Sequence, residues 1–457
     1  MSRARGANDA YERETLYITR IYVEFMRVLL MNTWDTSHSH PPLGIGYIAS
    51  VLRENDIDVK IIDYSLIKDD KQLENKIGRY NADLIGISSM SPTYSTAKKM
   101  AEISKEIDNT VKVVVGGPHS SVMPEHALSD ENIDIAVIGE GEYTMLDLVK
   151  SIDENKSLES IRGIYYKTSS GIKKTERREP IQNLDELPLP ARDLLEMDYY
   201  LSNVVEFPIL YPETNLIAVR GCPFNCSYCQ PTARKIFGAK MRYRSPENVV
   251  DEMELITKEY KPSSINIGGD TLTMDKKWFY ALCDEIKERG IDTPWYIGTR
   301  VDRVDKEMLQ YMSAAGGYFI IFGVESGSQR ILDEIMNKRI TIEQIKNAFK
   351  WCKEANIFAR ANLMIGSPSE TKEDILMTND LIKEMRPDTT TISVTNPIPG
   401  TKLYDYAVEK GLLKVQDITR INRHAMGTMR RELSDEEVKG YVKLLWYTTT
   451  KLQLGYF

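Results

Sequence analysis

Cys222, Cys226 and Cys229, three thiols within eight residues, are the side chains of this chain best suited to chemistry. Their spacing, C-x3-C-x2-C, lets three thiolates on one tight loop converge on a single soft metal centre. A structural zinc site wants four protein ligands. No fourth lies close: no histidine falls between His126 and His424, and the next cysteine is Cys283. Three thiolates without a local fourth ligand suit an iron–sulfur cluster that keeps one iron open to a small molecule. A zinc knuckle or a chance cluster is the bland alternative.

The elements that must position this loop read as strand–helix alternation. Apolar runs at 215–219, 264–267, 295–299, 318–323, 361–365 and 391–395 alternate with amphipathic stretches of helix length. Six such units predict a partial (β/α)6 version of the closed barrel, whose chemistry sits at the carboxyl ends of the strands. The cysteine loop follows the first of these strands. The remaining strand ends carry Gly268-Gly269-Asp270, Arg300, Glu325-Ser326, Ile365-Gly366 and Asn396-Pro397. Arg300 suits a carboxylate as a planar cation, or pairs with Asp302 or Asp305. Cys283 and Cys352 lie on predicted helices and read as core thiols.

A second alternation precedes the first. Strands at 26–31, 59–63, 84–88, 111–115 and 133–138, with helical stretches between them, predict a doubly wound parallel sheet covered on both faces. Ligands of such sheets bind beyond the strand carboxyl ends. The loops there are rich in glycine and small hydroxyl residues: Trp34 with Pro42-Leu43-Gly44, Ser88-Ser89-Met90-Ser91, Gly116-Gly117-Pro118-His119 and Gly139-Glu140-Gly141-Glu142. Glycine lets a backbone approach a bulky ligand. His38, His40 and His119 read as loop polarity.

These two halves together resemble a known family. C-x3-C-x-aromatic-C after an apolar strand is similar to the radical S-adenosylmethionine (SAM) enzymes. PPLGIGYIASVL, ADLIGIS, VVVGGPHSS and IDIAVIGEGE resemble the cobalamin-binding domain that precedes the radical domain in one large subfamily. The resemblance implies a 4Fe-4S cluster on Cys222, Cys226 and Cys229. It implies SAM contacts at Phe224, Tyr228, Gly268, Gly269, Asp270, Arg300, Glu325, Ser326, Ile365 and Gly366, with Tyr228 as an adenine platform and Glu325 facing the ribose diol. It implies cobalamin contacts at Trp34, Pro42, Leu43, Gly44, Ser88, Ser89, Met90, Ser91, Gly116, Gly117, Pro118, His119, Gly139, Glu140, Gly141 and Glu142. Asp270 stands where the family carries glutamate, and the adenine-side G-x-I-x-G-x-x-E element lacks its first glycine. The D-x-H-x-x-G motif that supplies histidine to cobalt is absent, since Asp35-Thr36-Ser37-His38 has the wrong spacing, so no histidine is expected on the metal.

The implied activity is methylation of an unactivated carbon through a 5′-deoxyadenosyl radical and methylcobalamin. The rivals are the same machinery without methyl transfer (oxidative cyclisation, ring contraction or sulfur insertion) and a non-catalytic cobalamin or redox sensor. The substrate stays open among a protein side chain, a lipid, a tetrapyrrole and a natural-product intermediate; one member type methylates a glutamine of methyl-coenzyme M reductase. An electron donor such as ferredoxin or flavodoxin is an expected partner.

Composition sets the frame. Of the 457 residues, 42% are hydrophobic and 28% charged, with net charge −8, which argues against a broad nucleic-acid face. Five cysteines, three of them clustered, fit a reducing cytoplasm rather than a disulfide framework. No apolar run approaches the ~20 residues of a membrane span. The expected division is an extension at 1–25 without a secretory core, a cobalamin domain at 26–150, a connector hairpin and linker at 151–213, a radical domain at 214–412 and a helical tail at 413–457. The basic run at 420–431 reads as a solvated face or a hold on an anionic or protein substrate.

Overall fold

The computed structural model describes residues 26–33, 40–202, 208–229, 232–415, 417–421, 426–429 and 431–455. The expected extension at 1–25 and the cobalamin contact at Trp34 lie outside the described residues, as does His38.

The first half is a seven-stranded sheet. β1 (Arg27–Asn32), β2 (Asp58–Asp63), β3 (Leu84–Ser88), β4 (Lys112–Gly116) and β5 (Ile135–Val137) run parallel in the order β2-β1-β3-β4-β5. Val28, Leu29, Leu30 and Met31 of β1 are all buried, so both faces of the sheet are covered, and near-continuous apolar runs are what such a strand needs. One face packs on helix Leu43–Arg53 and helix Glu142–Asp153, the other on helices Asp70–Tyr80 and Tyr94–Ile107. β1 and β3 are neighbours with the chain leaving in opposite directions, which opens a crevice at their carboxyl ends.

The hairpin expected in the connector joins this sheet. β6 (Ile164–Thr168) pairs antiparallel with β5, and β7 (Gly171–Lys174) closes the edge. Ile164 and Tyr166 face the core, whereas the outermost strand is exposed and carries lysines, which discourage further pairing.

The second half is an open, six-stranded parallel barrel in sequential order: β8 (Glu213–Ile217), β11 (Ser264–Gly268), β12 (Trp295–Thr299), β13 (Gly317–Glu325), β14 (Phe358–Ile365) and β15 (Thr389–Val394). The single strand expected at 215–219 breaks at Ala218. There the Ala218 amide donates to Gly268 O and its carbonyl accepts from Arg244, so β9 (Val219–Arg220) leaves the sheet and pairs with β10 (Arg242–Tyr243). That exit swings the cysteine loop over the barrel mouth. Flanking helices are started by capping boxes at Thr341/Gln344, Thr371/Asp374 and Ser434/Glu437. The last of these opens helix Asp435–Gln453, which packs on β15 and the helix Lys372–Met385.

Candidate functional site

The cysteine loop is pinned by its backbone. Gly221 has φ +96°, and a side chain there would strike the Lys240 carbonyl. Its amide donates to Asp270 Oδ2 at 3.1 Å, so Asp270 ties the second strand end to the loop. Cys222 N donates to Gly238 O at 3.2 Å, Ser227 N to Met336 O at 2.9 Å, and Leu403 N to Ser227 O at 2.9 Å. The three thiols are free of disulfides. Loss of water in the concave loop, then the charges of Cys226 and Cys222, push the Cys229 thiol up to about 12. A cationic metal centre on the loop reverses that cost at Cys229. The donor set fits an iron–sulfur cluster.

Around it stands a second group. Lys338 Nζ bonds Glu325 Oε1 at 2.7 Å and Tyr228 OH at 3.0 Å. Glu325 holds φ +68°, uncommon for a side chain that is not glycine and a signature of functional sites. A Cβ on Gly323 would sit 2.5 Å from Glu325 Oε1 and 2.6 Å from Lys338 Nζ and would displace this pair. Arg300 pairs with Asp302 at 2.8 Å, donates to Lys338 O at 2.8 Å, stacks 3.7 Å from the Phe224 ring centroid, and brings Nη1 to 3.7 Å from Cys226 Sγ. Its fork is thus occupied by the chain itself, and its charge lies against a cluster thiol. Gly268 and Gly269 form the turn beside Asp270, and Ser326 is buried, with its hydroxyl accepting from Ser328 N at 3.1 Å.

Ile365 ends the fifth barrel strand. Its side chain is fully buried in the apolar core, and its carbonyl accepts from Thr395 N at 2.8 Å. Gly366 follows with φ +79°. Its carbonyl accepts from Arg431 Nε at 2.6 Å; Arg431 also reaches Thr395 O and Asn396 Oδ1. The Arg431 side chain is 1% exposed, so this end of the basic run is no solvated face. Glu370 Oε2 accepts from the amides of Gly366 and Ser367, while its other oxygen has no partner; burial, the largest influence, raises the carboxyl to about 7. A folded-state value above the unfolded one means the native state holds the proton longer, so stability falls as pH rises from about 4.5 to about 7. Glu370→Gln is expected to remove up to ~3 kcal/mol of that slope, measured by urea unfolding across this window.

At the other sheet, Gly44, Ser88, Gly116, Gly117, Pro118, Gly139, Glu140, Gly141 and Glu142 line one apolar cavity of about 190 Å³, which Ile217, Arg220, Ile236 and Phe237 of the second half complete. It is a cradle that side chains would fill: a Cβ on Gly86 would meet Leu30 Cδ2 at 2.9 Å, and one on Gly141 would meet Ile48 Cδ1 at 3.0 Å. The buried hydroxyls of Ser89 and Ser120 have no partner. Apolar walls and close glycine backbone fit an apolar part of a larger ligand such as cobalamin. Pro42, Ser89 and Met90 lie outside the cavity lining, and Leu43 faces the core. Ser91 and His119 are turned away: His119 Nδ1 bonds Ser91 Oγ and its Nε2 bonds His126 Nδ1, both at 3.0 Å. Burial first, and His126 second, push His119 down to about 3, a neutral ring stacked on Tyr94.

Glu140 and Glu142 spend their charge inside the protein. Arg220 donates to Glu140 at 2.8 Å and to Glu142 at 2.7 Å; Arg242 donates to Glu140 at 2.9 Å. Every side chain in this set is at most 5% exposed. The Arg220 guanidinium lies 5.3 Å from the ring centroids of both Tyr47 and Phe237. Arg220 directly precedes Gly221-Cys222, so this cluster joins the glycine loop of one sheet to the cysteine loop of the other. The sequence reading missed Arg220, Arg242, Lys338 and Arg431. Only Arg220 carried a local signal, a cation beside the motif with no acid near it in sequence.

Comparison with known proteins agrees with this geometry. The B12 binding domain family matches residues 35–149 and the Radical SAM superfamily matches residues 216–382. An uncharacterized methyltransferase of Pyrococcus horikoshii is 35% identical, covering 82% of this chain and 80% of its own length. An anaerobic magnesium-protoporphyrin IX monomethyl ester cyclase of Rubrivivax gelatinosus is 29% identical, over 84% of this chain and 68% of its own. In fold, the chain is similar to the radical SAM methyltransferase TsrM of Kitasatospora setae, solved with cobalamin and a [4Fe-4S] cluster, at TM-score 0.74 and 18% identity, covering 93% of this chain and 89% of that one. Fold and site define a radical SAM enzyme with a cobalamin domain. The chain belongs to the cobalamin-dependent radical SAM methyltransferase family, whose cofactors are a 4Fe-4S cluster, SAM and cobalamin. Among the described residues no helix is long and apolar enough to cross a membrane.

Proposed function

We propose that the chain methylates an unactivated carbon of a substrate held between the facing strand ends. When bound, the cluster with SAM supplies a carbon radical and cobalamin supplies the methyl group. The observation that carries this reading is the buried Arg220–Glu140–Glu142 cluster, which links the cobalamin-side loop to the residue before Gly221-Cys222. Cys222, Cys226 and Cys229 hold the cluster, with Arg300 balancing the charge at Cys226. Tyr228 and Glu325 meet SAM, and Lys338 holds Glu325 in place through their 2.7 Å ion pair. The cavity glycines let the corrin side approach the backbone. The division of labour is 26–150 for cobalamin and 214–412 for SAM chemistry, joined by 151–213 and closed by the tail at 413–457. The enzyme works in a reducing cytoplasm.

Glu325→Gln is expected to weaken SAM binding about tenfold, the worth of one charge-assisted hydrogen bond. Calorimetric titration of SAM into the reconstituted protein checks it.

The decisive experiment is anaerobic turnover with methyl-labelled SAM and host extract, read by mass spectrometry. Methylation yields a product with one labelled carbon, together with both 5′-deoxyadenosine and S-adenosylhomocysteine. A second reading, the same radical chemistry without methyl transfer, is favoured by the similarity to the cyclase. Turnover that yields 5′-deoxyadenosine but no S-adenosylhomocysteine would select it.

A further inference from the structure

Arg431 belongs to the C-terminal tail, yet its guanidinium is buried at the barrel rim. Nε donates to Gly366 O at 2.6 Å and Nη2 to Thr395 O at 2.9 Å, so one side chain caps the chain just past the ends of two paired strands, β14 and β15. Nη2 also reaches Asn396 Oδ1 at 3.1 Å, and Nη1 reaches Met429 O and Asp435 Oδ1, both at 3.2 Å. Each of the five N–H donors of the guanidinium is thereby engaged. Such a fork is rigid, and a lysine ammonium could not reach both strand ends at once.

The turn that Arg431 caps leads from β14 to the helix Lys372–Met385. Gly366 has φ +79° and Ser369 φ +59°, and the left-handed conformation at a serine needs outside support. That support comes from three sides. Glu370 Oε2 accepts from the amides of Gly366 and Ser367, Arg330 Nη2 donates to Ser369 O at 2.8 Å, and Glu432 of the tail accepts from Ser369 N at 2.6 Å. The turn stands beside the Glu325 group: Glu325 and Leu363 are register partners across β13 and β14, and Gly366 lies three residues further on. Asp374 joins the two loops, accepting from Ser328 Oγ on one side and from Thr371 N at 2.9 Å on the other. The tail is anchored at its far end too, where Ile418–Arg420 packs on Ser91–Thr93 of the first half and Ile421 is fully buried.

We propose that Arg431 is a positioning residue for SAM: from the tail it sets the Gly366 turn that meets SAM. This rests on the reading of Gly366 as a SAM contact. Arg431 acts through the turn, because its own donors are all engaged by the protein. Without it the Gly366 carbonyl and the backbone around Ser369 lose their fixed conformation, and part of the binding energy of SAM goes into ordering them. Once SAM is bound, its cleavage depends on the cysteine loop and not on Arg431.

The test uses the reconstituted full chain, with dithionite as reductant. Arg431→Met is expected to raise the Kd of SAM, read by calorimetric titration, and the KM of SAM for 5′-deoxyadenosine formation by about tenfold each, the worth of one or two hydrogen bonds. The kcat at saturating SAM is expected to stay within about twofold. Arg431→Lys is expected to recover only part of the loss, since it reaches one strand end. Glu432→Ala, at an exposed position, is expected to raise the same Kd about threefold. Ser434→Ala is the control: it removes the cap of the helix Asp435–Gln453 and lowers the urea midpoint, with the Kd of SAM unchanged. An unchanged Kd in Arg431→Met, or in Glu432→Ala should the methionine variant not fold, overturns the proposal. So does full recovery by lysine, or an equal rise in Ser434→Ala, which would mark a general loosening of the tail. If the unaltered chain binds no SAM, the SAM reading itself fails and the proposal falls with it.

Discussion

Cys226→Ala is expected to leave a folded protein that retains little iron and forms at least about 100-fold less 5′-deoxyadenosine from SAM. Loss of an outer partner of a metal ligand already costs up to about 100-fold in metal affinity, and loss of a ligand costs more. The loop itself should survive, because its anchors are backbone hydrogen bonds and Gly221 rather than the Cys226 side chain. Arg300 then loses its sulfur neighbour but keeps Asp302 and the Lys338 carbonyl. The internal controls are Cys283→Ala and Cys352→Ala. Both thiols are fully buried among helix-facing apolar side chains, and burial pushes Cys283 up to about 12, the mark of an inert thiol. Each is expected to cost ~1 kcal/mol of stability and no iron. Iron content by colorimetry and 5′-deoxyadenosine by chromatography decide the matter. Normal SAM cleavage by Cys226→Ala would support the sensor reading instead.

Local periodicity made the two sheets legible, and long-range pairing did not. Each barrel strand is an apolar run followed by a turn and an amphipathic helix, so the six units and their order could be read along the chain. The same logic put Gly268, Arg300, Glu325 and Gly366 at strand ends, where they are found. It failed where one residue decides the path: Ala218 looks like strand on either side, and only its bonds to Gly268 and Arg244 reveal the break. Glu140 and Glu142 line the cavity, but nothing in the glycine loop shows that their charge is spent inside the protein. Their partner Arg220 lies 80 and 78 positions away, a separation no window of sequence spans. Lys338 and Arg431 escaped for the same reason, since a lone cation in a loop reads as solvated until the acid or carbonyls it covers are known.

Arg220→Met is the sharper test of how the two halves are held. In the native chain two carboxylates and two guanidiniums are buried together, and each oxygen pair has a donor. Methionine fills a similar volume between Tyr47 and Phe237 but removes both of Arg220's ion pairs. Glu140 keeps Arg242 and the Ile181 amide; Glu142 is left as a buried carboxylate without its cation. Removing one partner of a buried pair costs about 3–5 kcal/mol, mostly the penalty on the charge left behind. Urea unfolding should therefore lose that amount. Arg220→Met combined with Glu142→Gln should recover much of it, because the stranded charge is gone. The pair of results separates two explanations. If the single variant is costly and the double is not, the energy lies in charge compensation, and the cluster serves to fix the register of the glycine loop against the cysteine loop. If both are equally costly, the contribution of Arg220 is its packing between the two rings, and the carboxylates are incidental to how the loops meet. A single variant within about 1 kcal/mol of the native chain would show that the seam is held elsewhere, through Arg192 and Arg244 on Glu252.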